Sequence, residues 1–163
     1  KEVFLKGSWG YGLMDGMYGV GALLSTIAVA KIVNKIGRKG SLLLCYSVAG
    51  LSCFISPLMS TIYLAGIAYF FMGLHNNAAR IIIRTLFMEV IPNNIMGRVQ
   101  TIFGIYTRIM MLSSALLAGW ITEVYDPITG MSFASVHYAA ALFGTLIIIK
   151  IKQFSEEVFT RSS

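Results

Sequence analysis

Charge is what this chain has least of. Only 12% of its 163 residues are Asp, Glu, Lys or Arg, where a soluble domain carries about 25% to keep its surface wet. That deficit excludes an ordinary water-soluble domain. Acidic groups are scarcest, seven against thirteen Lys and Arg, which leaves a net charge of +6. The three prolines break few stretches. The two cysteines, Cys45 and Cys53, fall within one apolar run. Their spacing suits neither a disulfide nor a thiolate metal site, so they read as buried free thiols. A Walker-type phosphate loop, a His and carboxylate pair at metal spacing and a nucleophile elbow are all missing. No enzyme activity, metal or cofactor is therefore expected. Lys1, Glu2 and Lys6 are not followed by a small-residue cleavage pattern, so no signal peptide is expected.

Apolar residues take the place of the missing charge. The hydrophobic fraction is 56% and the mean hydropathy +0.74. A membrane helix needs roughly 20 mostly apolar residues, and five runs approach that length: 9–30, 41–58, 62–87, 99–121 and 132–149. They are blocks of helix length, not ten-residue alternating segments, which argues against a β-barrel. The expected fold class is all-α, a polytopic membrane helix bundle with five transmembrane helices, and its first partner is the lipid bilayer. The excess of Lys and Arg sits in short turns, not on one continuous basic face, so no nucleic acid is expected as a partner.

The turns carry separate signals. Residues 34–40 read as a tight basic turn, and Ser56, Pro57, Ser60 and Thr61 as a short uncharged one. Pro92, Asn93 and Asn94 end the third run. Asp126 and Pro127, with the pair Thr129 and Gly130, separate the last two. Lys31, Lys35, Arg38 and Lys39, then Arg80, Arg84 and Arg98, then Lys150, Lys152 and Arg161 all fall on one side of the membrane. Lys1, Lys6, Glu123 and Asp126 fall on the other. By the positive-inside rule the first set is cytoplasmic, which places the N-terminus outside and the C-terminus inside.

The turn Ala30-Lys31-Ile32-Val33-Asn34-Lys35-Ile36-Gly37-Arg38-Lys39 resembles the loop motif of the major facilitator superfamily, Gly-x-x-x-Asp-Arg-x-Gly-Arg-Arg/Lys. Gly37, Arg38 and Lys39 match, while Ala30, Asn34 and Lys35 stand for the Gly, Asp and Arg. The first span is Gly-rich, with Gly10, Gly12, Gly16, Gly19 and Gly21, as is typical of the second helix of a facilitator repeat. Gly12 and Gly16, with Gly19, form a small-residue stripe suited to close helix packing. Val90-Ile91-Pro92-Asn93-Asn94-Ile95-Met96-Gly97-Arg98-Val99, preceded by Glu89, looks like the segment that joins two helices in the drug-efflux branch containing macrolide-efflux and enterobactin-export proteins.

The resemblance implies that the five spans are about helices 8–12 of a twelve-helix transporter. The chain would be a partial C-terminal half whose N-terminal half is a missing partner. Residues 156–163 read as the polar tail after a last helix. The implied activity is secondary active transport: proton-coupled efflux of a small amphipathic substrate by an antiporter in a bacterial cytoplasmic (inner) membrane. The alternatives are a transporter of the same fold for a lysophospholipid, siderophore or sugar, and a non-transporting membrane anchor or assembly subunit.

Ionisable groups inside a bilayer cost about 2.5 to 3.5 kcal/mol each on translocon scales. Arg108 lies near the middle of the fourth span. At helical spacing it shares a face with Thr101, Gly104, Ala115 and Gly119, and it reads as a cavity cation or as an interhelical anchor. Asp15, the carboxylate well inside a span, is the candidate proton carrier, or else an interfacial group bonded to backbone. Arg108 and Asp15 are expected to meet in one polar cavity. His75 either moves protons or packs between helices. Arg80 and Arg84 are expected to snorkel to the interface or to pair with Glu89. His137 is expected at the interface.

Overall fold

The structure, a computed structural model, describes residues 7–150. Lys1, Lys6, Lys152, Arg161 and the tail 156–163, used above for orientation, lie outside the described residues. The fold is all-α. Four helices follow one another: α1 (Gly7–Ile55), α2 (Ile62–Val90), α3 (Asn93–Val124) and α4 (Pro127–Lys150), with a 3₁₀ turn (Ser56–Leu58) between the first two. The segments containing α1, α3 and α4 are long and apolar enough to cross a membrane. α2 is not among them: His75, Asn76, Asn77, Arg80 and Arg84 interrupt its apolar run.

Five separate helices were expected, and α1 accounts for the difference. It has 49 residues, about 74 Å if straight, more than twice the roughly 30 Å of a hydrocarbon core. It is not straight. Gly37 alone leaves helical geometry, with φ 71° and ψ 170°. This backbone region is essentially closed to residues with a Cβ. The basic turn expected over 34–40 is thus a one-residue reversal, with helix resuming on both sides. Ser41 seals it by donating its hydroxyl to the Gly37 carbonyl at 2.5 Å.

The two arms of α1 run in opposite directions along α2. In the first arm Met14 clusters with Ile62 and Ala65, while Asn77 reaches Ser25. The first arm therefore runs parallel to α2. The second starts at Arg38, beside Glu89, and returns to Met59, beside the Met14 cluster. Val29, Leu42, Cys45, Ala78, Ala79, Ile82 and Leu86 form the main core where both arms meet α2. Cys45, within this core, and Cys53, further along the second arm, are buried free thiols, as expected.

α4 packs on the second arm, where a Cβ on Gly50 would come within 3.0 Å of Tyr138. α3 leans on α4, with Gly130 pressed against Thr122. Thr129 and Gly130, expected in a turn, therefore lie inside α4. The turn is supplied by Asp126, whose carboxylate accepts the backbone N–H of Ile128 at 2.8 Å and of Thr129 at 2.9 Å. This is an N-cap, followed by Pro127 at the first helical position, where its missing N–H costs nothing. The Thr129 hydroxyl also donates to this carboxylate, and it, with the two backbone bonds, holds the Asp126 carboxyl below its usual pKa.

Candidate functional site between α2 and α3

The polar residues of α2 divide between two faces. Asn76 and Asn77 face α1. Asn76 donates to the Tyr18 hydroxyl at 2.7 Å. Asn77 donates to the Ala22 carbonyl at 3.0 Å and the Ser25 hydroxyl at 2.7 Å. Ser25 is fully buried, so these bonds satisfy groups that would otherwise be desolvated without a partner. The closest backbone approach lies in the same place. A Cβ on Gly21 would come within 2.9 Å of the Leu74 nitrogen and closer still to the Phe70 carbonyl oxygen. One on Gly73 would strike the backbone of Tyr18.

These contacts correct the packing stripe expected from the sequence. Around Gly12, Gly16 and Gly19 a Cβ would meet nothing within 4 Å. The seam runs instead through Gly21 and Gly73, one glycine on each helix. Gly12 and Gly16 are exposed together with Asp15, on a face of α1 that no described helix covers.

His75 is buried, and its Nδ1 lies 2.9 Å from the Phe71 carbonyl one turn earlier. Phe71 also stacks on it at a tilt, with ring centroids 6.3 Å apart. The histidine is thus held within its own helix. His137 is exposed and lies edge-on to Phe133 with centroids 5.5 Å apart.

α3 has no buried residue at all. Thr101, Gly104 and Arg108 do share one face of it. With Gly97, Gln100 and Ile105 they line an open groove of about 540 Å³ built from this helix alone. The Thr101 hydroxyl donates to the Gly97 carbonyl at 2.8 Å. Among the described residues Arg108 and Asp15 form no ion pair, and both are exposed. They were expected to meet in one polar cavity, and they make no direct contact there. α3 packs on α4 and reaches α2 through Phe103, edge-on to Phe87 at 5.1 Å, so it does not bring Arg108 to the first arm of α1.

The larger cavity, about 770 Å³, lies between α2 and α3. Arg80, Arg84, Asn76, Gln100, Thr107 and Tyr46 supply its polar lining, and Phe87 meets Phe103 edge-on across it. Pairing with Glu89 was one of the two roles expected for these arginines, beside snorkelling, but Glu89 is not available to them. It pairs with Arg38 instead, accepting both guanidinium nitrogens, Nη2 at 2.8 Å. The motif turn is thereby clamped to the end of α2 by a bidentate bridge. Of the other motif residues, Asn34 and Lys35 are exposed, while Lys39 is half-buried.

Arg38 holds the Glu89 carboxyl below its usual pKa, and Glu89 raises that of Arg38. A depressed carboxyl pKa contributes stability above its unfolded value, lost as pH falls through the folded one. Glu89→Gln is therefore expected to flatten the acid limb of a melting-temperature profile between about pH 5 and pH 3. The loss at neutral pH should be at most about 1 kcal/mol, because the pair is partly exposed. An acid limb identical to that of the unsubstituted protein would show that the clamp adds nothing. Compared with known proteins, the chain matches no family model, and no curated protein matches it significantly.

Proposed function

We propose that the chain is part of a secondary active transporter of the major facilitator type, one that exports small amphipathic molecules in exchange for protons by alternating access. Arg108 carries the reading. It stands midway along α3, exposed and without an acidic partner among the described residues. Against lipid that charge would cost about 2.5 to 3.5 kcal/mol. Its face must therefore look onto water or onto further protein. A substrate cavity completed by helices beyond these four supplies both.

Further support comes from α1. Counted as two crossings, its arms make four candidate spans with α3 and α4, α2 with its polar interruption would be the fifth of the proposed half, and the reversal falls on Gly37 of the loop motif. Asp15, exposed on the open face of the first arm, is the carboxylate to which this reading gives the proton. A pure anchor would have no use for two exposed charges on apolar helices. In this reading Arg38 and Lys39 are cytoplasmic and Asp126 is external.

Membrane vesicles containing the full-length protein, energised by an imposed pH gradient, are expected to accumulate members of a panel of amphipathic dyes. A protonophore should collapse the accumulation. Uptake equal to that of vesicles lacking the protein, with insertion verified, would overturn the proposal.

A further inference from the structure

We infer that the cleft between α2 and α3 binds an amphiphile with an anionic headgroup, which makes such acids the cargo class of the transporter proposed above, a reading on which this one rests. The charged residues of the cleft lining are Arg80 and Arg84. They lie four residues apart on one helix, about 5 to 6 Å between Cβ atoms, so two like charges face the same space. Among the described residues neither has an acidic partner, and Glu89, the nearest carboxylate in sequence, is already engaged by Arg38.

One anionic headgroup between the two guanidinium groups would relieve both charges at once. Each fork offers paired N–H donors to a carboxylate, sulfate or phosphate, and Gln100 adds an amide on the facing helix. Asn76, Thr107 and Tyr46 add neutral polar groups, and the remaining side chains of the lining are apolar. Ile83 and Phe87 on one side oppose Phe103 and Met111 on the other. Phe103 and Met111 are eight residues apart, about 12 Å along the helix, a wall along which an alkyl or aryl tail can lie. A small inorganic anion would leave this wall uncovered, and a cationic amphiphile would meet two like charges. The volume, about 770 Å³, falls within the roughly 300 to 1,000 Å³ of small-molecule sites.

The test uses the full-length protein in phosphatidylcholine nanodiscs with a fluorescent lysophosphatidic acid as probe. Binding should saturate. Dodecyl sulfate should displace the probe, whereas lysophosphatidylcholine of the same chain length and inorganic phosphate should not. Arg80→Gln with Arg84→Gln should weaken binding by at least about tenfold, and Lys31→Gln, on α1 away from the cleft, should not. Displacement by a few mole per cent of diacyl phosphatidic acid assigns the ligand to the bilayer. Displacement by single-chain acids alone assigns it to amphiphiles arriving from water.

Linear, unsaturable uptake of the probe overturns the inference, as does equal displacement by the zwitterion. So does unchanged affinity in a double variant that melts like the parent. Should that variant fail to fold, the order of competitors on the unsubstituted protein decides alone. Selective binding without transport in the vesicle assay would remove the transporter reading and keep the cleft. Dye transport without anion binding would do the reverse.

Discussion

Gly73→Ala is expected to unseat α1 from α2 and to lower stability by about 3 kcal/mol or more. At an ordinary helical position this change is favourable by about 1 kcal/mol, so the expected sign is opposite to the propensity. The reason is geometric. A methyl at Gly73 would lie within 2.9 Å of the Tyr18 carbonyl carbon and 3.0 Å of its Cα. Backbone cannot rotate away as a side chain can. The helices must separate, and the bonds from Asn76 to Tyr18 and from Asn77 to Ala22 and Ser25 lengthen with them. Ser25 would then be a buried hydroxyl partly stripped of its partners. Gly144→Ala, where a methyl would meet nothing within 4 Å, is the control and should melt within a few degrees of the parent. Thermal unfolding of the two variants in the same detergent decides. Equal melting temperatures for Gly73→Ala and the parent would mean that α1 and α2 do not approach this closely.

The second large effect is expected at Arg108, and it should be functional with little structural cost. Arg108 is exposed and takes part in no ion pair among the described residues, so Arg108→Ala should shift the melting temperature by no more than a few degrees. Proton-driven dye uptake in vesicles should nevertheless fall at least about tenfold, since a cavity cation that meets substrate or its counter-charge contributes on the order of 1.5 to 3 kcal/mol through charge-assisted bonds. Full transport by Arg108→Ala would remove this residue from the cavity. Asp15→Asn added to Arg108→Gln should give stability losses that sum, because the two groups do not touch and sit on helices that are not packed together.

Much of the fold is legible in the sequence because bilayer chemistry is blunt. Apolar blocks of helix length identify α3 and α4, and Pro92 marks the break before α3. The one-residue reversal is harder to read. Asn34, Lys35, Arg38 and Lys39 all look like turn or surface residues, yet helix continues through them, because only Gly37 needs a torsion that others cannot adopt. The seam is harder still. Small residues at Gly12, Gly16 and Gly19 carry a packing pattern, but periodicity cannot say which glycine meets another backbone, and that falls to Gly21 and Gly73. Partner choice among charges has the same limit. Glu89 is close in sequence to Arg84, but the hairpin of α1 brings Arg38, 51 residues away, into bidentate register. The face shared by Thr101, Gly104 and Arg108 follows from helical spacing alone, whereas the cleft that faces Arg80 and Arg84 depends on how α3 lies against α2.

The single residue at the bend of α1 also constrains how the molecule moves. A flexible loop would let two helices slide and rotate independently, whereas here the connection is one pair of torsions. Each arm is fastened to α2 a second time, through Asn77 to Ser25 on one side and the Cys45 cluster on the other. Two arms, one joint and a common rail make a closed linkage with almost no free coordinate. α1 and α2 must therefore turn together as a stator. Among the described helices α3 alone buries no residue against its neighbours, and a swing of it about the short connections Ile91-Pro92 and Tyr125-Asp126 would widen or narrow the space in front of Arg80 and Arg84.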